Sequence, residues 1–166
     1  MMHSLRLLRI DAALAEALAG GAEAFERAFG ARLGEAAPFA QELVASSLDF
    51  FAAQDPPWGG YLAVDDALGQ VVGTCGFKGP PTNDGIIEIA YYTFPPFEGR
   101  GYATAMATRL FELAVSSPLV HRVIAHTLPE PNASTRVLTK AGMRLVGEVW
   151  DPEDGRVWRW ERERGT

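Results

Sequence analysis

Between Gly85 and Ser116 the chain reads GIIEIAYYTFPPFEGRGYATAMATRLFELAVS, a strand, a break, a glycine-bearing loop and a helix in direct succession. Ile86, Ile87, Ile89, Tyr91, Tyr92 and Phe94 supply the β-branched and aromatic side chains that fit a pleated surface. Pro95 and Pro96 end that strand, because neither has an N–H to donate to a ladder. Glu98-Gly99-Arg100-Gly101-Tyr102-Ala103 follows, and then apolar Tyr102, Met106, Leu110, Leu113 and Ala114 recur at helical spacing. A helix that opens on small residues leaves its first N–H groups unpartnered. Together with the helix dipole they attract an anion such as a phosphate.

Three kinds of phosphate loop compete for this segment. A nucleoside-triphosphate loop ends in Gly-Lys-Ser/Thr, whereas Gly101 is followed by Tyr102, so that reading fails. A dinucleotide loop would use Gly99 and Gly101 with a third small residue at Thr104, where the fit is poor. About twenty residues on, where it needs an acid for the ribose, stands Leu119-Val120-His121-Arg122. The third reading is an acyl-coenzyme A site. Against all three stands a plain strand-turn-helix whose glycines serve only the backbone.

The 166 residues are most simply one domain, spanning 1–166, with an ordinary apolar fraction of 48%. Lys and Arg total 15 against 21 Asp and Glu, a net charge of −6 that lacks the footprint of a general nucleic-acid binder. A single cysteine, Cys75, excludes an internal disulfide and a cysteine zinc site, and its mid-strand position reads as packing; no metal is expected. No apolar run is long enough for a bilayer and no signal-peptide core opens the chain, so a cytoplasmic protein without membrane contact is expected.

Read in order, the pattern predicts a strand at 5–10, helices at 12–18 and 22–29, a loop at 30–38 and a helix at 39–53. Strands at 61–64 and 70–78 are joined to each other and to the central strand by short turns, which implies an antiparallel meander. After the central helix, Arg122 to Thr127 forms a strand reached by a parallel crossover, so the sheet is mixed. Asn132 and Gly142 frame a short helix, and 143–150 with 156–161 form a hairpin. Val157, Trp158, Arg159, Trp160 and Glu161 alternate as an exposed-face strand would. The fold class is α/β with a mixed sheet, in the order β-α-α-β-β-β-α-β-α-β-β.

Glu98-Gly99-Arg100-Gly101-Tyr102-Ala103 resembles the Gln/Arg-x-x-Gly-x-Gly/Ala motif of the Gcn5-related N-acetyltransferases, with Glu98 replacing the usual first residue. His121-Arg122-Val123, Asn132-x-Ser134 through Val137-Leu138, and Gly142-Met143 resemble the branch that acetylates ribosomal-protein N-termini, with Met143 in place of Phe. The resemblance covers nearly the whole chain and implies acetyl-coenzyme A (acetyl-CoA) as cofactor and a primary amine, small molecule or peptide N-terminus, as acceptor. It implies that Glu98, Gly99, Arg100, Gly101, Tyr102, Ala103 and Thr104 hold the diphosphate, that Tyr91, Tyr92 and Thr93 pair with pantetheine, and that Asn132 reaches it from the other wall. For Asn132 a plain helix cap is the equal alternative.

Direct transfer needs one proton accepted and one oxyanion stabilised. Glu88 is the candidate base, partly desolvated by Ile86, Ile87 and Ile89; a solvated Glu on the strand's outer face is the alternative. Many relatives carry an acidic Tyr where this chain has Thr139, and Ser134 is the substitute; His126 is a further proton carrier or a structural histidine. A non-catalytic acyl-CoA-binding module is the alternative function. Trp150, Trp158 and Trp160 form either a homodimer face or core.

Overall fold

The computed structural model describes residues 3–166. A seven-stranded sheet in the order β1-β2-β3-β4-β5-β7-β6 forms its centre. The strands are β1 (Leu5–Arg9), β2 (Gly60–Asp65), β3 (Gln70–Phe77), β4 (Ile86–Thr93), β5 (Arg122–Thr127), β6 (Arg144–Asp151) and β7 (Gly155–Glu163). Every neighbouring pair is antiparallel except β4–β5. The expected meander is therefore present as β2-β3-β4, and the crossover runs through the central helix.

Helices cover both faces. α4 (Tyr102–Val115) and α5 (Ala133–Lys140) pack Met106, Leu110 and Leu138 onto Ile87, Ile89 and Val123. On the other face α1 (Ala12–Ala19), α2 (Ala22–Phe29) and α3 (Ala37–Ala52) bury Leu14, Phe25 and Val44 with Leu62, Val71 and Phe94. The strand period of two sends Ile87, Ile89 and Tyr91 of β4 into the first layer and leaves Glu88, Ala90 and Tyr92 on the opposite face, where Ala90 and Tyr92 are exposed. α3 lies close on the sheet because Gly60 has no side chain: a Cβ there would strike the Phe51 ring.

Two expectations are corrected. The 30–38 segment is not all loop: a 3-10 turn at Gly34–Ala36 runs straight into α3, which begins at Ala37. Pro38 sits in the first turn, where its missing N–H costs nothing. β7 is not an exposed-face strand but lies between β5 and β6, with Val157, Trp160 and Glu161 buried. Glu161 tolerates burial because Arg159 Nε lies 2.9 Å and Arg122 Nε 3.5 Å from its carboxylate. The tryptophans divide: Trp160 is core and donates to Thr127 Oγ1 at 3.1 Å, whereas Trp150 is 75% exposed.

Cys75 lies in the core, and burial pushes its thiol from 9.0 up to about 12. That rise suppresses the thiolate by about 10³ at neutral pH. Labelling of Cys75 with a thiol reagent at pH 8 is expected to run at least a hundredfold slower than in the denatured chain. Equal rates would place the thiol at the surface.

The feature that shapes the site is the joint between β4 and β5. Only Ile86, Ile87 and Glu88 pair with β5, opposite Arg122, Val123 and Ile124. Beyond them β4 stays with β3 as far as Thr93, while β5 stays with β7 as far as Thr127. The strands part and a gap opens.

Candidate active site

The gap exposes one side of β4. On the β3 side, Glu88 O accepts from Lys78 N just past the end of β3, and Phe94 N donates to Val72 O. Antiparallel strands alternate, so Tyr91 and Thr93 turn their N–H and C=O groups away from β3 and into the gap. A sheet edge there can bond to a ligand carrying amides.

The gap continues into a cleft of about 670 Å³ bounded by β4, the 98–104 loop and α5. The loop takes its shape from Gly99 and Gly101, whose φ angles of 76° and 86° favour glycine. Gly101 caps α4 in the left-handed conformation with no side chain over the helix end. The first N–H groups of α4 therefore face the cleft at Tyr102, Ala103 and Thr104. Across the cleft, α5 contributes Ser134 together with Arg136 and Lys140, two cations at helical spacing. Ser134 Oγ lies 3.1 Å from the Tyr91 hydroxyl, and burial raises the Tyr91 phenol above its ordinary value.

On the opposite face of β4, a second cleft of about 450 Å³ runs beneath α3. Tyr91 and Tyr92 border both clefts, so the two meet at the gap. Beside the second cleft lies a compact polar cluster. Glu88 Oε2 accepts from His126 Nδ1 at 2.9 Å and lies 3.3 Å from Lys78 Nζ. Burial pulls the Lys78 ammonium down, but Glu88, with Asp154 and Asp151, outweighs it and the net shift is upward. The Glu88 side chain is 20% exposed, within reach of water yet enclosed.

The chain matches the acetyltransferase (GNAT) domain over residues 4–144. It belongs to the GNAT family. A curated relative, the uncharacterized N-acetyltransferase YjdG of Bacillus subtilis, is 33% identical over 76 residues, 46% of this chain and 45% of that protein. Another, the uncharacterized N-acetyltransferase p20 of Bacillus licheniformis, is 29% identical over 51% of this chain and 47% of that one. The matched stretch spans about half the length of these relatives. Among solved structures, AAC(6')-Ib with ribostamycin and coenzyme A aligns over 99% of this chain and 94% of its own, with a TM-score of 0.65 and 23% identity. No helix among the described residues is long and apolar enough to cross a membrane.

Within this GNAT domain the structure gathers most of the residues expected from sequence. Tyr91, Tyr92, Thr93, Glu98, Gly99, Gly101, Tyr102, Ala103, Thr104 and Ser134 all line the first cleft. Arg100 does not; its side chain is exposed, with the guanidinium 5.9 Å from the Phe97 ring centre, and its carbonyl accepts from His3 Nε2 at 2.6 Å. Tyr102 lends only backbone, because its ring is buried and its hydroxyl donates to Asp65 Oδ2 at 2.5 Å. Asn132 does not line the cleft either: its side chain accepts from Thr135 N at 3.0 Å, and Thr135 closes the reciprocal capping box. Glu88 stands apart, outside the first cleft and paired with Lys78 of the second. Thr139 donates to Thr135 O at 2.9 Å along its own helix and is outside the cleft.

Sequence reasoning missed four contributors. Arg136 and Lys140 could have been found from their four-residue spacing on a helix that follows the motif Asn. Lys78 carried no local signal, since its partner Glu88 is ten residues away across a hairpin. The Tyr91 hydroxyl was overlooked because only its backbone was considered.

Proposed function

We propose that this protein is an N-acetyltransferase that moves an acetyl group from acetyl-CoA directly onto a primary amine of a small molecule or a peptide N-terminus. The observation that carries the reading is the meeting of two clefts at Tyr91 and Tyr92, one with an anion-binding helix end, the other beside Glu88. The fit to the cofactor is supported by the open N–H groups of α4, the free edge of β4, and the cations Arg136 and Lys140.

When bound, acetyl-CoA supplies a thioester carbonyl open to attack and a thiolate leaving group. The protein's residues do the rest. N–H groups from Gly99 to Thr104 hold the diphosphate, and Tyr91 and Thr93 bond the pantetheine amides through their backbone. Arg136 and Lys140 offset the negative charge of Glu98, which is exposed and therefore weakly felt through water. Glu88 receives a proton from the amine, directly or through water, while His126 and Lys78 fix the carboxylate. A free α-amine near pKa 8 asks less of that base than a lysine near 10.4. The Ser134 and Tyr91 hydroxyls supply the proton that the departing sulfur needs.

The direct test is thermal denaturation with acetyl-CoA, coenzyme A and NAD in parallel. At about a hundred times Kd a ligand adds about 2.7 kcal/mol, which for a chain of this size is about 5–10 °C. A rise with both coenzyme A forms and none with NAD is expected. No rise at millimolar acetyl-CoA would refute the reading. Arg136→Ala is expected to weaken coenzyme A binding about three- to tenfold, with most of that difference lost in high salt.

A further inference from the structure

The second cleft carries a chemistry of its own. Five of its fourteen lining residues are aromatic, with Phe50 and Phe51 from α3 above and Tyr92 from β4 below, and Ser46, Ser47 and Thr74 add hydroxyls. Phe50 and Tyr92 are 48% and 47% exposed, large rings left in water beside the same cavity. Exposed aromatic surface gathered in a concavity marks a ligand groove. The charged groups are few. Among fourteen lining residues the only ones that ionise at neutral pH are Lys78 and Glu153, and Lys78 is already paired with Glu88 at 3.3 Å. Glu153 belongs to the β6–β7 turn, which also carries Asp154 and follows Asp151 at the end of β6, so the approach to the cleft is acidic.

We infer that the acceptor is an arylalkyl primary amine, one cationic nitrogen on a short chain ending in an aromatic ring. This rests on the acetyltransferase reading above. The ring fits between Phe50 and Tyr92 under α3, and the nitrogen points to the gap where Tyr91 and Tyr92 border both clefts. The acidic turn attracts the single positive charge. A polyamine or an aminosugar is disfavoured, because each further ammonium needs its own anionic partner and the lining holds one carboxylate, Glu153, with otherwise hydroxyls and apolar carbon. Burial of one ring in such walls is worth about a hundredfold in affinity. In the transfer, the N–C bond to the acetyl carbon forms as the C–S bond breaks. Of the two protons lost by the ammonium, one ends on sulfur and the other is released to solvent.

The test compares kcat/KM for 2-phenylethylamine, propylamine, spermidine and ribostamycin by thiol release. Calorimetry of 2-phenylethylamine on the coenzyme A-loaded protein gives a readout independent of turnover. The expected result is at least a tenfold preference for 2-phenylethylamine over each other amine, with measurable binding. Phe50→Ala, with coenzyme A binding as its folding control, reduces the preference over propylamine to less than threefold. Phe50→Leu, which keeps apolar bulk, retains an intermediate preference. If spermidine or ribostamycin is preferred, if all four are equal, or if none reacts while coenzyme A still binds, the inference is overturned and the cofactor site stands. If coenzyme A itself fails to bind, the acetyltransferase reading falls with it.

Discussion

Glu88→Gln is expected to lower kcat by about 10²-fold or more while leaving the affinity for coenzyme A unchanged. The amide keeps the size of the side chain and can still bond Lys78 or His126 on one side, but it cannot take a proton. Glu88 lies outside the coenzyme cleft, on the face of β4 that looks toward α3, so the cofactor has no cause to respond. Steady-state kinetics with a reactive amine, run beside thermal shifts with coenzyme A, separates the two effects. A kcat within threefold of the parent would make Glu88 an anchor for Lys78 and His126 rather than a base.

Tyr102→Phe is expected to cost about 2 kcal/mol of stability, or about 4–8 °C in Tm. Asp65 is 3% exposed and is held by the Tyr102 hydroxyl at 2.5 Å and by the N–H groups of Ala67 and Leu68 at 3.0 and 3.3 Å. Losing a hydrogen bond to a buried carboxylate costs more than losing one between neutral groups. Coenzyme A binding should survive, since the N–H of residue 102 remains in place. The pair also predicts an alkaline limit. Burial, and then Asp65, raise the Tyr102 phenol from 10.0 to about 12. A raised folded-state value stabilises the protein in full below pH 10, and that contribution is lost as pH rises toward 12. Tyr102→Phe should therefore flatten the decline in Tm above pH 10. An unchanged decline would assign it to other groups, Cys75 first among them.

Much of the architecture was legible because local pattern and global fold agree. The alternation through β4, the prolines that stop it and the glycines that start α4 each point to one structure. The short links between β2, β3 and β4 leave only an antiparallel meander. What could not be read was whatever depended on distant neighbours. Val157 to Glu161 alternates like a surface strand, yet β6 covers its outer edge and Arg122 and Arg159 make the burial of Glu161 tolerable. Asn132 matched a ligand motif and a cap equally well, and its capping box with Thr135 appears only in three dimensions. Lys78 and Tyr91 were invisible as site residues because their partners Glu88 and Ser134 are brought to them by the fold.

The parting of β4 from β5 bears on how the chain avoids its own kind. Unpaired strand edges invite other chains to add strands, and proteins blunt them. At its outer rims this sheet does so: β1 has five residues, with Arg6 and Arg9 among them, and the register of β6 shifts between Leu145 and Gly147. The third open edge, at Tyr91 and Thr93, lies in the sheet's interior, walled by α5 on one side and the 98–104 loop on the other. A slender amide-bearing tether can enter that slot, whereas an incoming strand with side chains on both faces cannot. The fold thus keeps a sticky backbone available to one kind of guest and closed to aggregation.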